Sequence, residues 1–210
     1  MARSADCRSR SVITDRPVVE QQIGPETFEY RPGFLGRDHA DGLLQYLWRG
    51  VVWHQDPIVM FGRRVLQPRL TAWFGDAGAR YRYSGLDLEP DSWPRRLAEL
   101  KDSLQRELEQ SFNSVLVNAY RDGRDCMGWH ADDEPELGPV PTIASLSLGA
   151  TRRFLIRRGN GGPSTPMDLE HGSLLVMRGD AQSRYRHAVP RTARPVGLRI
   201  NLTFRHVRQA

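Results

Sequence analysis

The chain has 210 residues, of which 39% are hydrophobic and 26% charged, and its formal net charge is +5. This length and composition indicate one soluble globular domain that is large enough to enclose a pocket. No apolar run approaches the roughly 20 residues of a membrane span, and the N-terminus lacks the apolar core of a secretory signal. We therefore expect no membrane association and a location in the cytoplasm, at the nucleoid if bacterial, or in the nucleus if eukaryotic. We also expect a monomer.

The basic residues are almost all arginine, and Lys101 is the only lysine. Arginine favours bidentate contacts with carboxylates and phosphates, which would suit a polyanionic partner. A GC-rich genome that encodes arginine in place of lysine explains the same bias equally well. Charge by itself therefore does not identify nucleic acid as the partner.

The N-terminal half predicts a tail, two helices and an irregular segment. Residues 1–15 are rich in Arg and Ser and predict a flexible tail, so that 16–210 form a single domain. Residues 37–50 carry apolar side chains at helical spacing and predict an amphipathic helix. Residues 51–90 mix aromatics, prolines and glycines, as in short strands and loops. A second helix is expected to be capped by Asp91 or Ser92 and to end near Gln110, with a leucine stripe buried.

From residue 114 the pattern changes to short strands separated by Gly, Pro and Asp turns. The predicted strands are 114–120, 142–148, 153–157, 173–177, a strand carrying His187, and 199–205. We expect a mixed α/β, mainly β fold: a double-stranded β-helix, or jelly-roll, over residues 114–207 with flanking N-terminal helices.

A polar constellation lies in this second half. His130 and Asp132 have the same parity, so on an extended segment both side chains can reach one point, where His187 would arrive from a later strand. Two imidazoles and one carboxylate form the facial triad that holds non-haem Fe(II) and leaves coordination positions open. An isolated His-x-Asp pair is common by chance, so the prediction depends on what surrounds it.

The strand 199–205 alternates strictly between polar and apolar residues. Its polar face carries Arg199, Asn201, Thr203 and Arg205. A buried arginine needs a counter-charge, and no acid alternates with Arg199, so we infer a small dicarboxylate that bridges the metal and Arg199. Asn118 and Tyr120 share a face of their own strand and can reach the same ligand. The alternation alone is equally compatible with both arginines facing solvent while the apolar face packs in the core.

Together these residues resemble the AlkB-type Fe(II)/2-oxoglutarate dioxygenases over about residues 53–207. The matching motifs are Asn118-x-Tyr120, His130-x-Asp132-Asp133-Glu134, His171-Gly172-Ser173-Leu174, His187 and Arg199-x-Asn201-x-Thr203-x-Arg205. The resemblance implies that His130, Asp132 and His187 bind iron and that Arg199 pairs with the distal carboxylate of 2-oxoglutarate. It also implies that the cosubstrate site is completed by Asn118, Tyr120, Asn201, Thr203 and Arg205.

Within the family the chain looks most like the eukaryotic-type subgroup that repairs duplex DNA. The segments behind this likeness are Phe61-Gly62, Pro68-Arg69, Gly75-Asp76-Ala77-Gly78, Tyr81 and Tyr83-Ser84-Gly85, which make residues 51–90 the expected nucleotide-recognition segment. The implied substrate-binding residues are Met60, Phe61, Arg69, Tyr81, Tyr83, Asp133 and Glu134. In this arrangement Tyr83 and His130 sandwich a flipped base, and Met60 and Phe61 occupy the gap left in the helix. The arginine-rich run 63–67 departs from the subgroup and leaves the strand preference open.

The expected substrate is a base that methylation has made cationic, such as 1-methyladenine or 3-methylcytosine in DNA. Asp133 and Glu134 would favour the charged base, although a solvated acidic loop is the alternative for this segment, as a plain core role is for Met60 and Phe61. The resemblance implies oxidative demethylation with O2 and 2-oxoglutarate, releasing formaldehyde, succinate and CO2. Two alternatives remain: the same chemistry on RNA or protein, and a catalytically silent nucleic-acid-binding barrel with Zn(II) or no metal.

Overall fold

A computed structural model describes residues 27–60, 62–79, 81–83 and 86–208, and the expected tail over residues 1–15 lies outside them. The described residues form three helices and fourteen strands. The helices are α1 Arg37–Gly50, α2 Arg95–Leu108 and α3 Ala181–Arg184. The strands of the first half are β1 Phe28–Arg31, β2 Pro57–Met60, β3 Arg63–Leu66, β4 Leu70–Gly75, β5 Tyr81–Tyr83 and β6 Leu86–Leu88. Those of the second half are β7 Ser114–Tyr120, β8 Met127–His130, β9 Ile143–Gly149, β10 Arg152–Arg158, β11 Thr165–Leu169, β12 Ser173–Met177, β13 Tyr185–Val189 and β14 Arg199–Arg205.

Two antiparallel sheets form the body of the domain. The major sheet has six strands in the order β1-β12-β9-β14-β7-β4, and the minor sheet has four in the order β11-β10-β13-β8. Strands β2 and β3 form a separate hairpin, as do β5 and β6. The eight strands β7 to β14 thus divide equally between two facing sheets, and this arrangement confirms the predicted jelly-roll core.

The core has two apolar layers because the major sheet is buried on both faces. Helices α1 and α2 pack on its outer face, where the buried leucines Leu97, Leu100 and Leu104 meet Leu202 and Phe204 of β14. A second cluster fills the space between the two sheets. No helix within the described ranges is long and apolar enough to cross a membrane.

The predicted helices are correct in place, and only the start of α2 is wrong. Helix α1 spans the predicted residues, and α2 buries the predicted leucine stripe and ends at Leu108, near the predicted Gln110. However, α2 begins after Pro94 rather than being capped by Asp91 or Ser92. Asp91 is held elsewhere, because its backbone N–H donates to Trp73 and its carbonyl accepts from Gly75 at the edge strand β4.

The predicted strands 114–120, 173–177 and 199–205 match β7, β12 and β14 residue for residue, and those at 142–148 and 153–157 are displaced by one residue or extended at the ends. Strands β1, β8 and β11 were not predicted. Each is short and lies at an edge of its sheet. An edge strand forms by pairing with its one neighbouring strand, and this pairing is not visible in the alternation of its own polar and apolar residues.

One turn between β9 and β10 requires glycine. Gly149 has a φ of +84°, and a Cβ atom built there would overlap the carbonyl oxygen of Leu198, which precedes β14. We expect Gly149→Ala to lower the free energy of unfolding by about 3 kcal/mol, from backbone strain and steric overlap together. Gly161→Ala is the matched control because Gly161 has a φ of +96° with no atom within 4 Å of its Cβ position, so it should cost about 1 kcal/mol. Equal losses in urea denaturation would show that the overlap does not matter.

Candidate functional site

The minor sheet brings the two predicted imidazoles next to each other, with their rings in an edge-on arrangement. His187 on β13 lies directly opposite His130, the last residue of β8, and their ring centroids are 4.2 Å apart. Asp132 follows where the chain has left the sheet, and its Oδ1 atom is 3.9 Å from His130 Nε2. One possible ligand atom from each of the three residues lies within 4.8 Å of the others. The geometry can therefore hold a metal ion on three protein ligands.

The surroundings of His187 and Asp132 fix the protonation states of these two residues. Burial and the neighbouring His130 lower the pKa of His187 to about 3, although Asp132 acts in the opposite direction. Burial of Asp132 by itself would raise its pKa, but Arg205, His187 and His130 outweigh that effect and lower it to about 2. At neutral pH His187 is thus neutral and Asp132 ionised, which are the forms that bind a metal ion. The donor set fits Fe(II).

Other side chains hold the triad in place. Arg205 Nη2 donates to Asp132 Oδ1 at 2.7 Å, and the ring of His187 packs on Phe154 at a centroid distance of 5.2 Å. Buried Arg152 donates to the carbonyls of Asp122, Asp125 and Pro190. It therefore connects the loop between β7 and β8 to the loop that follows β13. The ligand-bearing strands are therefore anchored at their ends as well as along their length.

A narrow cavity between the two sheets begins at the triad and is lined by the polar face of β14. Arg199, Asn201, Thr203 and Arg205 all line it, as do Asn118 and Tyr120 of β7. Arg199 is 1% exposed, so the alternative of a solvated Arg199 is wrong. The opposite face of β14, with Ile200, Leu202 and Phe204, packs in the helix-covered core. The alternation of the sequence thus separates the two faces as predicted.

Arg199 is buried with donors to spare. Its Nη2 donates to Ser147 Oγ at 2.9 Å and to Asn201 Oδ1 at 2.8 Å, and its guanidinium lies 5.1 Å from the centre of the Tyr120 ring. Its Nε and Nη1 atoms are buried without a hydrogen-bond partner. Burial lowers the pKa of Arg199, which means that the fold disfavours its charge. An anionic ligand would satisfy these donors, and this fits a dicarboxylate such as 2-oxoglutarate.

A second cavity of about 360 Å³ adjoins the first and shares His130, Asp132 and Arg205 with it. Its further polar lining is His54, Asp56, Gln67, Arg69, Thr71, Glu89, Asp91, Ser114 and Glu134. Carboxylates therefore outnumber guanidinium groups on its walls. The cavity opens beside the triad, so a group bound in it would lie against the metal centre.

The residues predicted to bind a substrate have different positions. Glu134 lines the second cavity with its Oε2 atom buried and unpaired, whereas Asp133 pairs with Arg186 at 3.3 Å. Buried Arg69 also lines this cavity and donates to Asn118 Oδ1 at 2.8 Å, so it links the two cavities. Met60 lies in β2, and Tyr81 and Tyr83 lie in β5. Phe61 lies outside the described residues.

Three of the residues that were not predicted form hydrogen bonds directly to predicted site residues. Ser145 and Ser147 of β9 contact Asn201 and Arg199 respectively, and their alternation with Leu146 and Leu148 was a usable signal. Gln182, in the turn α3, accepts a hydrogen bond from the backbone of Asp132. Nothing in the local sequence indicates that role, because its partner lies 50 residues away.

Comparisons with known proteins agree with this geometry. The 2OG-Fe(II) oxygenase superfamily matches residues 27–205. The alpha-ketoglutarate-dependent dioxygenase alkB homolog 3 of Bos taurus is 41% identical over 186 residues, which cover 84% of this chain and 64% of that protein. The DNA oxidative demethylase ALKBH2 of Homo sapiens is 37% identical over 184 residues, covering 82% of this chain and 70% of that protein.

The chain thus spans 64% of the length of the alkB homolog 3 relative. The solved structure of OsALKBH1 superposes with a TM-score of 0.65 at 21% identity, over 90% of this chain and 100% of that one, and supports the fold. Because the superfamily match extends over most of the chain and the human relative is matched over more than two thirds of its length, the chain belongs to the 2OG-Fe(II) oxygenase superfamily and, within it, to the AlkB type.

Proposed function

We propose that this protein is an Fe(II)/2-oxoglutarate-dependent dioxygenase that removes methyl groups from N-alkylated bases in DNA, with 1-methyladenine and 3-methylcytosine as substrates. The products are the restored base, formaldehyde, succinate and CO2. The observation that carries the proposal is the position of the triad, between a buried arginine with unpaired donors and a cavity walled by carboxylates. The names of the relatives, a dioxygenase and a DNA oxidative demethylase, support it.

The residues of the first cavity would hold the metal and the cosubstrate. Bound Fe(II), with 2-oxoglutarate and O2, supplies the oxidation of the N-methyl C–H bond. His130, Asp132 and His187 would hold the ion, and Arg205 keeps the Asp132 carboxylate in place. Arg199 would bind the distal carboxylate through its unpaired N–H groups. Asn118, Tyr120, Asn201 and Thr203 line the space between them and would orient the cosubstrate.

The second cavity would take the base. Methylation of adenine N1 or cytosine N3 makes the base cationic, and the surrounding carboxylates favour such a group over its neutral parent. Glu134 is the strongest candidate for direct contact because its Oε2 atom is buried and lacks a hydrogen bond. Asp133, paired with Arg186, would act at longer range. His130 lines both cavities and would meet one face of the base.

The outer face of the minor sheet suits a nucleic-acid strand better than a protein substrate. Trp129 is 38% exposed, and the guanidinium of Arg157 lies 4.1 Å from its ring centre. Arg153 and Arg186 share this face because their parity is opposite to that of the buried Ile156 and His187. Guanidinium groups bind phosphates and an exposed indole stacks on bases. The protein would then act at chromosomal DNA, in the nucleoid or the nucleus.

The recognition segment remains part of this proposal. The described residues of the segment 51–90 form two hairpins and the strand β4, and His54, Gln67 and Arg69 line the second cavity. Residues 114–207 would be the oxygenase core, within a domain of residues 16–210. A flipped base would therefore lie between the core and the recognition segment.

A panel of oligonucleotides tests the function directly. We expect formaldehyde and the restored base, measured by mass spectrometry, from DNA that contains 1-methyladenine or 3-methylcytosine. Single-stranded DNA, duplex DNA and single-stranded RNA with the same lesions would give the strand preference. Formation of succinate without turnover of any methylated nucleic acid would favour a protein substrate. No succinate under any condition would favour the silent nucleic-acid-binding barrel.

Glu134→Gln tests recognition of the cationic base. We expect it to lower kcat/KM for 1-methyladenine about fivefold or more, because a nearby carboxylate is worth about 1–4 kcal/mol to a cation. Turnover of 3-methylthymine, which is neutral, should change much less. Glu136→Gln is the matched control, since Glu136 lies in the same segment without lining the cavity. An equal loss on charged and neutral lesions would contradict electrostatic selection.

A further inference from the structure

Gln182 is a buried amide beside the candidate metal centre that the mechanism above does not use. It lies in α3, the four-residue turn directly before β13, and is 2% exposed. A primary amide at such a position costs free energy unless its polar atoms are paired. Its contacts are therefore informative about why an amide stands there.

Those contacts lead to a metal ligand. Gln182 Oε1 accepts the backbone N–H of Asp132 at 2.9 Å, and its Nε2 lies 3.5 Å from the sulfur of Met177. The N–H partner requires the amide oxygen on that side, because only the oxygen can accept. Residues 131–134 lie outside any strand, so the N–H of Asp132 has no neighbour in a sheet to pair with. The side chain of Gln182 takes that place.

Asp132 is consequently fixed at two points. Arg205 holds its carboxylate and Gln182 holds its main chain. Gln182 also stands five residues before His187, in the turn that leads directly into the strand that carries this second imidazole. Arg186 adds a parallel connection, since it donates to the carbonyl of Gln182 at 3.2 Å and pairs with Asp133 at 3.3 Å.

We infer that Gln182 is a positioning residue of the metal centre, which couples the 130–132 segment to His187 by holding the Asp132 backbone. This inference rests on the proposed role of the triad. Without the amide oxygen, Asp132 would keep its side-chain partner but lose the constraint on its main chain. The three ligands would then be less well arranged before the ion binds, and part of the binding free energy would be used to order them.

Two variants of Gln182 separate this role from plain packing: one lacks the acceptor oxygen, and the other has a shorter side chain. Gln182→Met keeps the length and volume but has no oxygen to accept the N–H, and Gln182→Asn keeps an amide that is too short to reach it. We expect either variant to weaken metal binding about 10- to 100-fold, as for other residues that orient metal ligands. Gln182→Glu retains an acceptor oxygen and should stay within about threefold of the wild type.

The measurement is the affinity of the purified full chain for Co(II), followed by its visible absorption without substrate or O2. Tyr30→Phe is the matched control: Tyr30 is also buried, donates to the carbonyl of Asp168 and belongs to an edge strand. It should lower thermal stability without changing metal affinity. Wild-type affinity in folded Gln182→Met and Gln182→Asn would overturn the inference. Failure of the wild type to bind Co(II) or Fe(II) would instead overturn the proposed triad.

Discussion

Arg199→Met should raise the 2-oxoglutarate concentration needed for half-maximal turnover by at least about 30-fold, because truncating one partner of a buried charge pair costs about 2–5 kcal/mol. The reason lies in the two unpaired donors, Nε and Nη1, which a carboxylate of the cosubstrate would satisfy. Steady-state formaldehyde release at varied 2-oxoglutarate measures the effect. Arg199→Lys is the graded control, since it keeps the charge and loses the planar set of donors.

The same substitution should stabilise the protein in the absence of 2-oxoglutarate, although it weakens binding of the cosubstrate. Burial lowers the pKa of Arg199, so the folded protein disfavours the guanidinium charge relative to the unfolded chain. Removing that charge should raise the free energy of unfolding without cosubstrate by about 1–3 kcal/mol, less what is lost with the bonds to Ser147 and Asn201. Urea denaturation with and without 2-oxoglutarate tests both signs. An unchanged half-saturating concentration would show that the carboxylate binds elsewhere.

His130→Ala should abolish the weak visible band that forms when Fe(II) and 2-oxoglutarate are combined without O2. Turnover should fall at least about 1000-fold, since the metal contributes several kcal/mol to the reaction. Of the three candidate ligands, His130 is the one whose removal should disturb the fold least. Its side chain is 27% exposed, and its Nδ1 atom hydrogen-bonds to the carbonyl of Gly128, two residues away. Its loss should therefore leave the melting temperature nearly unchanged.

The control for this variant is His39→Ala, an exposed histidine of α1, which should leave both the band and turnover at wild-type values. Colour that persists in His130→Ala would contradict the ligand assignment. Loss of colour together with loss of the folded state would call for Asp132→Asn, where the second ligand is changed without loss of volume.

Much of the fold could be predicted because its signals are local. The leucines of α2 recur with the helical period, and the residues of β14 alternate with the period of a strand, so each element shows its own buried face. The boundary error at α2 has a tertiary cause. Asp91 has the chemistry of an N-cap, but its backbone pairs with β4 instead, and this pairing depends on a strand far from the helix start.

The candidate site also has a part that the sequence predicts and a part that depends on tertiary contacts. The residue types His130, Asp132, His187 and Arg199 could be chosen from spacing and from the resemblance to a family. The spacing of residues could not predict the hydrogen bond between Gln182 and Asp132. It also could not predict that Arg69 of the recognition segment donates a hydrogen bond to Asn118 of the core. These contacts join segments 50 and 49 residues apart.

The amino-acid sequence by itself therefore determined which residues can form helices and strands, which faces are apolar, and which side chains carry metal-binding chemistry. Only the tertiary structure decided that His130 and His187 stand opposite each other, that Arg199 has donors left unpaired inside the protein, and that the walls of the adjoining cavity are acidic. The physical reason is that periodicity is set by neighbours along the chain, whereas strand pairing and the burial of a charge depend on which distant segments meet.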